Sequence, residues 1–342
     1  MKFKLPHPKN VPAALSGVAG GVLGGMVTSK RKMDAPVSLR KETEVLLIKA
    51  EDKIAGIRKL LRLRGMANYR GKMVALKANY NSDDPFPAST DIGTLEVIVD
   101  ELKKAGIGGL TLAERSGMGN TRKVLEKTGV LRLSEKLGFK AVVLEEEDKD
   151  SWQKIGAKGT HWINGFHISK IFLAADKVVQ TCCLKTHRFG GHFTMSLKNS
   201  VGLVAKRLPG LAYDYMMELH TSPHQRLMIA EINSFYNVDL VIMDATKAFV
   251  NGGPERGDLV EPNLLLVSND RVAIDAVGVA ILRSYGSTKD VMKGRIFELE
   301  QIRRAAELGV GVNSASQVKL TPADDKSSEV AETIAGILRD QG

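Results

Sequence analysis

From Lys72 to Ser268 the sequence alternates between short apolar runs and helical or polar stretches. Residues 72–79 (KMVALKAN), 109–114 (GLTLAE), 139–145, 176–183 (DKVVQTCC), 238–244 (VDLVIMD) and 263–268 have the length and composition of strands. Helical patterns fill the gaps at 91–105 and 121–137, the latter broken near Gly129, and recur at 224–235, 271–285 and 295–308. A connection that holds a helix carries the chain back to the same end of the sheet, so consecutive strands pair in parallel. The expected fold class is α/β, a mostly parallel sheet flanked by helices in Rossmann-like layers. The near-continuous apolar run at 238–244 suits a central strand buried on both faces. Residues 146–170 predict loops and a hairpin, 209–223 a polar insertion, and 318–320 a short last strand.

Charge divides the chain. The net charge is +10, yet residues 1–72 hold 16 Lys and Arg against 5 Asp and Glu, while the remainder holds 33 against 34. Three regions follow: a basic glycine-rich and helical leader (1–71), an α/β body (72–320) and a polar helical tail (321–342). The near-neutral body is not built for nucleic acid. The leader suits an acidic protein or a membrane surface. Within it, residues 10–29 form an apolar run in which Gly17, Gly21 and Gly25 recur every fourth position, a spacing that permits close helix packing in lipid. The run is short for a span, and Lys30, Arg31 and Lys32 follow it directly, unlike a cleaved export signal. Residues 41–64 read as a helix, with Leu46, Leu47, Ala50, Ile54, Ile57 and Leu61 on one face. The two cysteines, Cys182 and Cys183, are adjacent and point to opposite faces of a strand. They make no disulfide framework and no internal iron–sulfur cluster. A cytoplasmic location is expected, with membrane association through the leader as the alternative.

The chemistry-bearing residues cluster where strands run out, the edge at which open α/β sheets bind ligands. The richest stretch is 184–202 (LKTHRFGGHFTMSLKNSVG), directly after the run 176–183. Lys185 and Lys198 supply positive charge, and Thr194 and Asn199 supply hydrogen bonds. Lys77, Glu114 and Asp244 fall at the ends of other expected strands, and Gly252 and Gly253 offer backbone amides. Together these suit a small anionic ligand. His187 and His192 fit either acid–base work or a divalent metal site completed by Asp244 or Glu114; His187, His192 and Asp244 are the candidate catalytic set. Asp275 lies on an expected helix, where it reaches the cleft or caps a neighbour. No Walker loop or Rossmann glycine fingerprint specifies a nucleotide.

The ordered segments Val74 to Asn79, Ala113 to Ser116, Leu184 to His187, Thr194 to Gly202, Val241 to Asp244, Gly252 to Pro254 and Ala273 to Ala276 resemble the domain-of-unknown-function 362 family. The resemblance runs from Lys72 to Ser314. It implies an α/β domain and no particular reaction. Many family members carry a ferredoxin-like module or an export signal; this chain has neither the cysteines nor the twin arginines for them. The family is also distantly similar to the N-terminal part of nickel-pincer lactate racemases. Two functional readings stand: an enzyme acting on a small anion by Lys/His or metal-assisted chemistry, or a non-catalytic binding or assembly protein tethered by its leader. A redox-partner role is a third.

Overall fold

The computed structural model describes residues 42–342. Its ten-stranded sheet has the order β12-β1-β11-β9-β7-β2-β3-β4, with β10 beside β9 and β8 beside β7. The strands are β1 (Thr43–Lys49), β2 (Met73–Lys77), β3 (Gly109–Glu114) and β4 (Lys140–Val143), then β7 (Lys177–His187), β8 (His192–Thr194), β9 (Leu240–Gly252), β10 (Gly257–Val260), β11 (Leu264–Ser268) and β12 (Val318–Pro322). A separate antiparallel hairpin pairs β5 (Trp152–Ile155) with β6 (Phe166–Ser169). The run β9-β7-β2-β3-β4 is wholly parallel, as the helix-bearing crossovers dictate. β11 pairs antiparallel with both β1 and β9.

Burial explains the strand sequences. In β1, Val45 and Leu47 enter one core with Leu184, Met243, Leu266 and Val277. Their neighbours Leu46 and Ile48 enter another with Leu60, Leu76, Leu95 and Leu112. A strand covered on both faces needs apolar residues at every position, which erases the alternation of a half-exposed strand. That is why 43–49 resembled the start of a helix. The expected helix over 41–64 is instead β1, a short connection, and the helix Lys53–Arg64, capped by Asp52 and ended at Gly65 with φ +76°. Part of the basic leader therefore belongs to the sheet and its cover. The glycine-rich run at 10–29 and its proposed membrane contact lie outside the described residues. Among the described residues, no helix is long and apolar enough to cross a membrane.

Helix boundaries follow local chemistry. Asp91 caps the helix Ile92–Lys104. The pattern at 121–137 divides into Thr121–Lys127 and Val130–Leu137 around Gly129, whose φ of +82° is left-handed and open to glycine without strain. Asp270 caps the long buried helix Arg271–Ser284. The C-terminal helix Ser328–Gln341 is polar outside but buries Ala331, Ile334 and Leu338 against the main core. The insertion at 209–223 contains a helix, Tyr215–Thr221, capped by Asp214.

Two strands run further than their apolar runs indicate. β7 continues through Lys185 to His187, turns, and returns as β8 with His187 opposite His192. β9 extends to Gly252 and folds back as β10. Both extensions lie at the sheet edge where the candidate residues gather.

Candidate functional site

β2, β3 and β7 are parallel neighbours, so their C-terminal ends open on one edge. There a cavity of about 290 Å³ is lined by Lys77, Glu114, Lys185, His187, Thr194, Lys198 and Asn199. Asn79, Tyr80, Asn81 and Arg115 follow directly on the ends of β2 and β3 and complete one wall. Met216 and His220 reach it from the helix Tyr215–Thr221. Four cationic side chains face the cavity (Lys77, Arg115, Lys185 and Lys198) against one carboxylate, Glu114.

Three of the four cations are held by hydrogen bonds to the protein. The Lys77 ammonium donates to the Ala78 carbonyl, to Glu114 Oε2 at 2.7 Å and to Asn199 Oδ1 at 3.2 Å. Lys185 donates to Asn79 Oδ1 at 2.8 Å, the Pro87 carbonyl at 3.2 Å and the Ala88 carbonyl. Three acceptors match the three N–H groups of each ammonium. Arg115 is tied to the carbonyls of Val201 and Val204. These groups set the positive field of the cavity, and their position is fixed.

Lys198 differs. It stands in the last turn of the short helix Ser196–Asn199, and among the described residues its ammonium has no hydrogen-bond or ion-pair partner. Burial, with Lys185 and Arg115 nearby, pushes its pKa down to about 7. Gly191 makes its placement possible: a Cβ there would stand 2.7 Å from Lys198 Cε and 2.9 Å from His187 Nδ1.

Other polar atoms around the cavity also lack partners. Glu114 Oε1, His187 Nδ1, Tyr80 Oη and Thr194 Oγ1 are buried and unpaired. Buried polar groups are nearly always satisfied, so these four atoms give the cavity lining unused hydrogen-bonding capacity. Burial pushes the Glu114 carboxyl up to about 6, against the pull of Lys77. Burial and the Lys198 charge hold His187 far below its ordinary value, so its ring is neutral.

The segment carrying Lys198 is held from beneath. Asp275, on the helix Arg271–Ser284, accepts from the amides of Ser196 at 2.8 Å and Leu197 at 3.0 Å. Gln180 accepts from Ser196 Oγ at 2.7 Å, and Asn233 donates to the Leu197 carbonyl at 3.0 Å. Asn199 Nδ2 donates to the Thr181 carbonyl at 3.1 Å. Of the two readings for Asp275, the structure gives the cap.

Besides Asp275, four expected site residues do not line the cavity. Asp244 is in the middle of β9, not at its end. Its carboxylate accepts from Thr94 Oγ1 and Thr246 Oγ1, both at 2.7 Å, and pairs with Lys53 at 3.2 Å. His192 takes a left-handed backbone, φ 60°, and its nearest acid is Asp290 at 3.9 Å. Gly252 and Gly253 use their amides within the β9–β10 turn, donating to Asn251 Oδ1 and the Arg256 carbonyl. The set of His187, His192 and Asp244 is therefore not assembled, and no group of three His, Cys, Asp or Glu suited to a metal occurs among the described residues. Cys182 and Cys183 are free and buried, their thiols pushed up by burial.

Sequence reasoning did not select Asn79, Tyr80, Asn81, Arg115 or His220 as site residues. The first four were within its reach, since they follow the chosen Lys77 and Glu114 immediately. His220 carried no signal, because only tertiary packing brings its helix to this edge.

Among solved structures, the lactate racemase apoprotein from Thermoanaerobacterium thermosaccharolyticum is similar at 18% identity, over 63% of this chain and 52% of its own, with a TM-score of 0.40. The present chain thus spans about half the length of that protein. None of the curated proteins compared with the chain matches it. The model of a family described as a domain of unknown function, DUF362, matches residues 74–280, a stretch that contains every residue lining the cavity. With more than half of its length matched from β2 to the helix Arg271–Ser284, the chain belongs to the DUF362 family.

Proposed function

We propose that the cavity binds a small anionic metabolite and that Lys198 both contacts it and exchanges a proton with it. The observation that carries this reading is the unpartnered Lys198 amine among three engaged cations. The fixed cations attract a carboxylate or phosphate, and the volume, close to the lower end of ordinary ligand pockets of ~300–1,000 Å³, favours a compact one. A lysine titrating near neutrality serves as donor below pH 7 and acceptor above it. The raised Glu114 carboxyl is the supporting acid–base group, and neutral His187 offers a hydrogen-bonding nitrogen. The amide of Asn79, whose oxygen is bound by Lys185, and the Tyr80 hydroxyl supply orientation.

The test is ligand-induced stabilisation of the full chain against a panel of short carboxylates and phosphates. A ligand at a hundredfold excess over its Kd adds about 2.7 kcal/mol. Wild type gains stability with at least one anion, more strongly at pH 6 than at pH 8.5, while Lys198→Met does not. Equal responses in the two proteins, or no response in either, refute the assignment.

A further inference from the structure

We propose that the ligand is a small oxo acid, and that the Lys198 amine condenses with its carbonyl to form a Schiff base. This rests on the anion-binding reading above and adds the substrate class and the covalent step.

The argument begins with what the cavity lacks. An amine meant to hold an anion as a permanent cation is usually steadied by acceptors, as Lys77 and Lys185 are here. Lys198 has no such acceptor among the described residues, and fixed cations surround it. Of these, Lys185 and Arg115 disfavour its protonated form. That is how a lysine becomes a nucleophile: withdrawn from water and set beside other cations. Its pKa near 7 accords with this arrangement.

The same cations give the substrate its second requirement. Lys77, Lys185 and Arg115 cannot be displaced without breaking their own hydrogen bonds, so they remain to attract the carboxylate of an oxo acid. The free amine then meets the carbonyl carbon. Lys198 and His187 converge on one spot, both within 3.0 Å of where a Gly191 Cβ would lie. Glu114 Oε1 is unpaired and available to move protons during the condensation, and the unpaired His187 Nδ1 can hydrogen-bond the carbinolamine.

The step balances. Nitrogen adds to the carbonyl carbon, giving a carbinolamine. The former carbonyl oxygen leaves with the two amine hydrogens as water, and a carbon–nitrogen double bond remains. No oxidant or reductant takes part. The imine nitrogen, once protonated, withdraws electrons from the adjacent carbon, which is the use such an adduct has in proton abstraction, decarboxylation or aldol cleavage.

The experiment uses the full chain with 2-oxobutanoate and 2-oxoglutarate, each in the presence of cyanoborohydride, which reduces an imine to a stable secondary amine. Intact mass and peptide mapping read the adduct. Parallel thermal-shift measurements use 2-hydroxybutanoate and 2-hydroxyglutarate, which share the carboxylates but cannot condense. The expected result is one adduct per chain, on the peptide containing Lys198, absent in Lys198→Arg. The arginine variant keeps the charge, and a wild-type-like circular dichroism spectrum with a cooperative thermal transition shows that it is folded. Stabilisation by the hydroxy acids without any adduct overturns the Schiff base and leaves anion binding intact. Labelling that persists in Lys198→Arg also overturns it. Absence of both stabilisation and adduct overturns the two readings together.

Discussion

Replacing Lys198 with methionine should stabilise the protein while abolishing its ligand response. Methionine keeps the unbranched length and removes the charge. The magnitude follows from linkage. Lys198 has a folded pKa of about 7 against 10.5 in an unperturbed chain, and each pKa unit is worth about 1.4 kcal/mol. The upper bound is therefore about 5 kcal/mol. Solvent reaching the side chain through the cavity screens part of it, so about 2–3 kcal/mol is expected. The sign is fixed by proton counts. Below pH 7 both folded and unfolded chains carry the Lys198 proton, and the folded state bears the full cost of a half-buried, unpaired charge. Between pH 7 and 10.5 the unfolded chain keeps that proton while the folded chain releases it, so wild-type stability rises across this window. Urea unfolding of wild type and Lys198→Met at pH 6 and pH 9.5 reads the difference directly. The variant should be more stable at pH 6, and the gap should shrink at pH 9.5. A variant less stable than wild type, or a gap unchanged between the two pH values, would falsify the placement of an unpaired, half-buried charge at this position.

Gly191→Ala puts a methyl group within 3.0 Å of Lys198 and His187. Overpacking of this kind costs about 1–3 kcal/mol, and calorimetry should show at least a tenfold loss of ligand affinity. Asp275→Ala leaves the buried amides of Ser196 and Leu197 without their acceptor, at about 1–3 kcal/mol each. Denaturant titration should show a loss of about 2–5 kcal/mol on that basis, and ligand binding should weaken even where the variant is fully folded; unchanged binding would remove Asp275 as a positioning residue. Asp244→Asn should lower stability by about 1–3 kcal/mol through its bonds to Thr94, Thr246 and Lys53. Its ligand response should match wild type, and a lost response would restore Asp244 to the site.

The parts of the site that were readable in the sequence share a cause. Lys77, Glu114 and Lys185 each end or follow an apolar run of strand length, and parallel strands bring such ends to one edge. The same rule failed for Asp244 because the end of an apolar run is not the end of a strand. β9 continues through the mixed stretch Ala245 to Gly252, held by pairing to β7, β10 and β11 that no local pattern reveals. The β7–β9 register shifts between Cys183 and Leu184, so Lys185 stands opposite Phe249 while Asp244 stands opposite Cys183. The reading of 41–64 failed for a related reason. A run such as VLLI fits a strand buried on both faces as well as a helix, and only its neighbours β11 and β12 decide.

The sequence alone determined the alternation of strands and helices, the parallel core of the sheet and the edge at which polar residues collect, because periodicity and connection length are local properties. Only the tertiary structure decided which of those residues are available. Lys77, Lys185 and Lys198 look alike in the sequence. Acceptors from Glu114 and Asn199 occupy the first, and Asn79, Pro87 and Ala88 occupy the second. Lys198 has no acceptor among the described residues. Hydrogen-bond saturation depends on what the fold brings within 3 Å of an atom, and most of those partners lie far away in the chain.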